Sequence, residues 1–236
     1  MNYMTFINEH VSSLSYEVLV IIQHGSTTMA VAEENSDIDF IAVVKEDVNQ
    51  EDRELPIITP DGEKVHITLL NKNSFELLLK NFFTELAIKV LDVNLLAGRL
   101  IQGKIIYDPL KLTENCIKEY SLTECPKWLI EKFLWQCFSF IKDAQHSNQY
   151  IKQNCIEKAI DSWGIAFLLK RNIFTLNIKW QPILLERHLP ATIYKSYIKL
   201  RFHYPSNDKE EINRNLKILV DYLRSEINAD QSCNSF

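Results

Sequence analysis

Short apolar runs separated by polar turns occupy the first hundred residues, whereas the remainder carries apolar residues three and four apart over long stretches. Tyr16–Gln23 is short, apolar and rich in β-branched side chains, and it stops just before Gly25, which predicts a buried strand. Asp37–Val44 and Lys64–Leu70 predict two more. Between these two, Lys45–Glu63 is rich in Asp, Glu and Asn and contains Pro56, Pro60 and an Asp61-Gly62 turn signal, so it reads as a hairpin-like excursion. Met4–Leu14 and Ser26–Glu34 suit helices, and Ser74–Leu96 has helical spacing that Gly98 closes.

Beyond Tyr107-Asp108-Pro109 the pattern is helical, over Leu110–Tyr120, Pro126–Tyr150, Asn154–Arg171 and Lys209–Ile227. Pro126 suits a first helical turn, and Asn172 after Lys170-Arg171 suits a C-terminal stop with cations at the negative end of the dipole. Trp128, Phe133, Trp135, Phe138 and Phe140 recur at spacings that fit a helix core. The polar tail Asn228–Phe236 is expected to fray. The expected fold class is α+β: a domain with a small mixed β-sheet, residues 1–109, followed by an all-helical domain, residues 110–236.

With 236 residues, 46% hydrophobic and 24% charged, the chain can bury a proper core. Its longest early apolar run, Val18–Ile22, is far below the ~20 residues of a membrane span; no membrane association and a cytoplasmic location are expected. The five cysteines show neither a C-x-x-C pair nor zinc-ligand spacing, which reads as reduced core thiols. A net charge of −5 argues against a long nucleic acid as partner, since neutralising a phosphate backbone takes clustered Lys and Arg.

Candidate chemistry is concentrated in one segment, from His24 to Ile41. An apolar strand runs into Gly25-Ser26, ten residues follow, and Asp37-Ile38-Asp39 opens the next apolar strand. Residues two apart on a strand share a face, so Asp37 and Asp39 aim their carboxylates at one point. Two converging carboxylates suit magnesium or manganese, which use one or two carboxylates together with substrate phosphates. Glycine permits close backbone approach to a phosphate, the Ser26 hydroxyl can bond a phosphate oxygen, and amides at a helix start favour an anion.

This order of residues resembles the signature of the DNA polymerase beta-like nucleotidyltransferase superfamily, in which Gly-Ser is followed after about ten residues by acid-hydrophobic-acid. The resemblance implies metal-dependent transfer of a nucleoside monophosphate from ATP, or another nucleoside triphosphate, onto a hydroxyl. Gly25 and Ser26 would contact the nucleotide, and Asp37 and Asp39 the metal. A looser likeness to bacterial antibiotic-modifying adenylyltransferases rests on Ile105–Pro109, Ala159–Trp163, Asn177–Trp180 and Leu189-Pro190. It implies an aminoglycoside-like small molecule as acceptor, a helical domain on the acceptor side of a cleft, and room for a homodimer. Two alternatives stay open: a nucleotide-binding regulatory protein, and a protein adenylyltransferase of the antitoxin type.

One position departs from the superfamily's pattern. The third carboxylate, expected in a hydrophobic-acid-hydrophobic triplet on the next strand, is replaced by His66 in Val65-His66-Ile67. Either His66 ligates a metal or acts as base, or an acid from the helical half does so, or the site binds without transfer. Glu157 and Asp161, one turn apart on a helix, are the acids in question, with Glu131 and Asp143 behind them. Lys179 is a candidate cation for the triphosphate, although a lysine beside Trp180 can equally pack its stem on the indole. Trp163 and Trp180 are candidates for stacking on a base, and His24, His188 and His203 read as structural.

Overall fold

The computed structural model describes residues 1–32, 36–82, 98–145, 148–175, 178–202 and 209–233, which fall into two compact units, Met1–Glu124 and Cys125–Phe236. The fold is α+β, as expected.

In the first unit, α1 (Tyr3–Ser13) leads into β1 (Val18–His24) and β2 (Ile38–Val44). The acidic excursion contains a single 3₁₀ turn, Gln50–Asp52, and then forms β3 (Glu54–Ile58), which turns back at Gly62 into β4 (Lys64–Asn71). Next come α2 (Lys72–Lys80), helical residues 98–102, β5 (Lys104–Tyr107) and α3 (Leu112–Glu119). The expected helix Ser74–Leu96 is corrected: α2 ends at Lys80 and Asn81-Phe82 form a turn, residues 83–96 of the expectation lie outside the described residues, and Gly98 itself sits in helical backbone. The unit boundary falls after α3, against an expected division at 109/110, and α3 packs on α2 of the same unit. Asp108 caps α3 by accepting from the amides of Leu112 and Thr113 at 2.8 and 2.9 Å.

The five strands form one mixed sheet in the order β3-β4-β2-β1-β5. β2 and β4 are parallel and all other pairs antiparallel. Phe40, Ala42 and Val44 of β2 and Val65, Ile67 and Leu69 of β4 face α1, where Ile7 and Val11 complete a fully buried cluster. Because successive side chains alternate, Asp39 on β2 and His66 on β4 take the opposite face. On that face α2 packs against β4 and β2, with Phe75 and Leu79 buried.

The second unit is helical: α4 (Lys127–Ala144), α5 (Gln149–Lys170), a 3₁₀ turn Ile178–Trp180, α6 (Gln181–His188), α7 (Ala191–Phe202) and α8 (Lys209–Cys233). Pro126 occupies the N-cap of α4, one position before the expected first turn, and α5 ends with Asn172 at φ 56°, the left-handed conformation expected of a stop residue. α8 runs past the expected Ile227. Helix α5 is the centre of the unit, packed by α4, α6, α7 and α8. Trp163 is 1% exposed, stacks on Phe167 at 5.8 Å and donates its indole N–H to the Leu219 carbonyl at 2.8 Å, so it is a core residue with no face left for a base. Mid-helix Gly164 is explained by the same packing, because a Cβ there would come 2.5 Å from Gln181 Oε1. The aromatic core expected on α4 is corrected. Leu129, Ile130, Leu134 and Cys137 are buried, whereas Trp128 and Trp135 are exposed.

Among the described residues no helix is long and apolar enough to cross a membrane. Cys116, Cys125, Cys137 and Cys155 are free thiols; Cys116 and Cys137 are buried, and burial pushes the Cys137 thiol up to about 12.

Candidate active site

The end of β1 and the starts of β2 and β4 lie side by side, and their register builds the site. His24 pairs with Asp39 across β1–β2, and Asp39 pairs with His66 across β2–β4. Directly opposed residues project from the same face, so His24, Asp39 and His66 form a row across three strands.

After His24 the chain reverses through Gly25, at φ +82°. That conformation favours glycine, and the close approach demands it: a Cβ at Gly25 would come 2.3 Å from Asp39 Oδ2 and 3.2 Å from its Cγ. The Asp39 carboxylate therefore sits against bare backbone. Ser26 follows, buried, with its carbonyl accepting from the Val31 amide at 2.9 Å. The helix expected over Ser26–Glu34 does not form in the described part. Residues 26–30 are turns, the Thr28 hydroxyl donates to the Gly25 carbonyl at 3.1 Å, and Ala30 ends the run at φ 54°. The Gly25 carbonyl also accepts from the Met29 amide at 3.4 Å, so one helical bond forms before the turn closes. No helix dipole is available at Gly25-Ser26, and any anion there would rely on the turn's own amides.

Asp37 lies one residue before β2 and is exposed, whereas Asp39 is half-buried. Burial raises the Asp39 pKa; the positive charge of Arg99 and the His66 ring oppose it, and the Asp37 and Glu54 carboxylates add to it. A carboxylate whose charged form is disfavoured in this way gains from a cation brought close. Arg99, on the helical residues 98–102, is a functional candidate that sequence reasoning missed.

His24, expected to be structural, is buried inside the site. It is 1% exposed, and neither ring nitrogen has a hydrogen-bond partner among the described residues. Burial, then Arg99, then His66 depress its pKa to about 3, so the ring is neutral. A Phe40 backbone group slightly favours the proton without meeting hydrogen-bond geometry.

His66 stands between two carboxylates. Its Nδ1 lies 3.9 Å from Asp39 Oδ1 and its Nε2 lies 3.1 Å from Glu54 Oε2. Glu54, on β3, was not among the expected site residues. The only sequence signal was its place two residues before Pro56 in a run whose Leu55 and Ile57 alternate inward.

The expected residues of the helical half are engaged within the second unit. Asp161 forms an ion pair with Arg201, and its backbone carbonyl accepts from Gln181 Nε2 at 3.0 Å. Burial raises the Asp161 pKa and Arg201 counters it. Glu157 accepts from Gln153 Nε2 at 3.2 Å, and Lys179 lies on the 3₁₀ turn before α6.

No family model and no curated protein matches this chain. Among solved structures it is similar to a nucleotidyltransferase-like protein from Exiguobacterium sibiricum 255-15, at 12% identity and a TM-score of 0.44, over 95% of this chain and 73% of that one. It is also similar to spectinomycin adenyltransferase AAD(9) from Enterococcus faecialis, solved with ATP and spectinomycin, at 14% identity and a TM-score of 0.37, over 96% of this chain and 97% of that one. Both likenesses are distant.

Proposed function

We propose that the chain is a nucleotidyltransferase that moves a nucleoside monophosphate, AMP from ATP, onto a hydroxyl of a small molecule such as an aminoglycoside-like antibiotic. The observation that carries this reading is the contact of the Asp39 carboxylate with the side-chain-free backbone of Gly25 at the mouth of β1. That arrangement sets a carboxylate against main chain bare of any side chain in one small volume, which is what a metal-bound polyphosphate requires.

The donor set suits an ion that arrives with its nucleotide. Among the described residues no three His, Cys, Asp or Glu side chains converge as a resident metal cage, and magnesium delivered on a triphosphate needs only one or two carboxylates. Asp37 and Asp39 would hold it, and the ion would supply Lewis-acid stabilisation of the phosphoryl oxygens. The Gly25-Ser26 turn would bind a phosphate through main-chain N–H and the serine hydroxyl, and Arg99 would add a positive charge beside Asp39. The acceptor oxygen forms a bond to the α-phosphorus, the bond to the β-phosphate oxygen breaks, and pyrophosphate leaves. The hydroxyl proton passes to a base, for which His66 is the candidate within this unit.

The test incubates the protein with α-labelled ATP, magnesium or manganese, and panels of antibiotics and of proteins. Label should transfer to a small molecule in wild type and not in the Asp37→Ala, Asp39→Ala double variant. Transfer to a protein would favour an antitoxin-type enzyme. ATP binding with no transfer to anything would instead favour the regulatory reading, for which His66 in place of an acid is the specific motive.

A further inference from the structure

Strand β3 brings a carboxylate to the neighbourhood that lacks one in the sequence pattern. Glu54 pairs with Thr68 across β3–β4 and is diagonal to His66, which pairs with Pro56. Leu55 and Ile57 pack into the cluster under α1, so Glu54 faces the other way, toward the site. Its Oε2 accepts from the Thr68 hydroxyl at 3.0 Å and lies 3.1 Å from His66 Nε2. The hydroxyl of Thr68, a buried residue, thus tethers one oxygen of a carboxylate whose side chain is otherwise half exposed.

The two ring nitrogens of His66 therefore have different surroundings. Nε2 is at hydrogen-bond distance from Glu54. Nδ1, at 3.9 Å from Asp39 Oδ1, is beyond hydrogen-bond length. We propose that Glu54 is a positioning residue: it accepts from Nε2–H, holds the ring in that tautomer, and leaves the Nδ1 lone pair turned toward Asp39. An imidazole–carboxylate pair then stands where a single third carboxylate would otherwise be, with the carboxylate one strand further out. Nδ1 accepts the hydrogen bond of the incoming hydroxyl and takes its proton as the oxygen bonds to the α-phosphorus and pyrophosphate departs. The ring then lies between the Glu54 and Asp39 carboxylates.

The catalytic half of this proposal rests on the proposed function; the tautomer does not, and the two are measured separately. In ¹⁵N-labelled protein at pH 8 without nucleotide, with signals assigned by His66→Asn, the His66 ring should carry its proton on Nε2. Glu54→Gln keeps an acceptor oxygen and should preserve the tautomer, whereas Glu54→Leu should release it to a mixture. A proton on Nδ1 in the wild type, or a tautomer that Glu54→Leu leaves unchanged, would overturn the proposal whether or not an acceptor is found.

With an acceptor in hand, Glu54→Leu should lower kcat about 10–100-fold, the range for groups that orient a functional histidine, with KM for ATP unchanged and Glu54→Gln intermediate. In the His66→Asp background the same substitution should cost less than about twofold. An equal loss in both backgrounds would mean that Glu54 does not act through His66. Failure of the wild type to transfer label at all would count against the proposed function, leaving the ring measurement to decide the place of Glu54.

Discussion

Burying a neutral histidine beside Asp39 makes the first unit's stability depend on pH. The His24 pKa is held near 3, against about 6.5 in an unfolded chain. Between those values the unfolded state binds the extra proton, so the stabilisation is fully present above pH 6.5 and is lost as the pH falls toward 3. At about 1.4 kcal/mol per pH unit for one proton, the whole interval is worth roughly 5 kcal/mol, of which about 2 kcal/mol is lost by pH 5. The assay must report on the right unit. All four tryptophans, Trp128, Trp135, Trp163 and Trp180, belong to the second unit, so tryptophan fluorescence reports there and serves as a control. Native-state hydrogen exchange of β1 and β2 amides, corrected for intrinsic rates and followed with magnesium removed, reports on the first. Wild type should lose about 2 kcal/mol more protection between pH 8 and pH 5 than His24→Leu, with no difference between them in tryptophan fluorescence. An identical pH dependence in the two proteins, or a His24 ring that titrates near pH 6.5, would refute the reasoning.

Three further outcomes follow from the same contacts. Gly25→Ala combines a left-handed backbone, which costs an alanine about 1–2 kcal/mol, with a clash against Asp39 Oδ2; nucleotide binding measured by calorimetry should fall at least tenfold while helix content by circular dichroism is unchanged. Asp161→Ala should destabilise the helical unit by roughly 2 kcal/mol, less than a fully buried pair because the Asp161–Arg201 bridge is partly solvated; tryptophan-detected urea unfolding checks this, and if Asp161 is not the base, transfer measured below the transition should persist. Trp163→Ala should cost about 3–5 kcal/mol in the same urea assay, the range for emptying a core aromatic site, and substitution of exposed Trp135 by Ala should cost less than about 1 kcal/mol.

The legible parts of the sequence were those where one physical demand dominated. β1, β2 and β4 are buried on both faces, and their apolar runs show it; the order Gly25-Ser26 then Asp37-Ile38-Asp39 marked the segment, whereas the packing of Gly25 on Asp39 emerges only in three dimensions. What escaped notice lay where two demands compete. β3 contains Pro56, which lowers a strand's apparent merit, and only its edge position makes the proline harmless. Glu54 was hidden with it. The segment after Ser26 has apolar residues enough for a helix, but Ala30 turns to φ 54° and the Val31 amide reaches back to the Ser26 carbonyl, which closes the run as a turn. Trp128 and Trp135 repeat every seventh residue, as do Ile130 and Cys137; both stripes fit a helix, and only packing decides which turns inward. His24 carries no spacing signal, because what singles it out is burial without a partner, a property of three dimensions. Arg99 is far from Gly25 and Asp39 in the chain, so nothing local announces it.

Strand β3 is one of the sheet's two edge strands, paired with β4 alone among the five strands. An edge strand can open without the rest of the sheet, at a free energy well below that of global unfolding. The two halves of the site should therefore fail at different temperatures. Mild heating would detach β3 and with it the support of His66, while the Asp39–Gly25 contact, held by the inner strands β1 and β2, still grips a nucleotide. Inactivation ahead of melting, with binding intact, is the thermal signature that this strand order writes into the molecule.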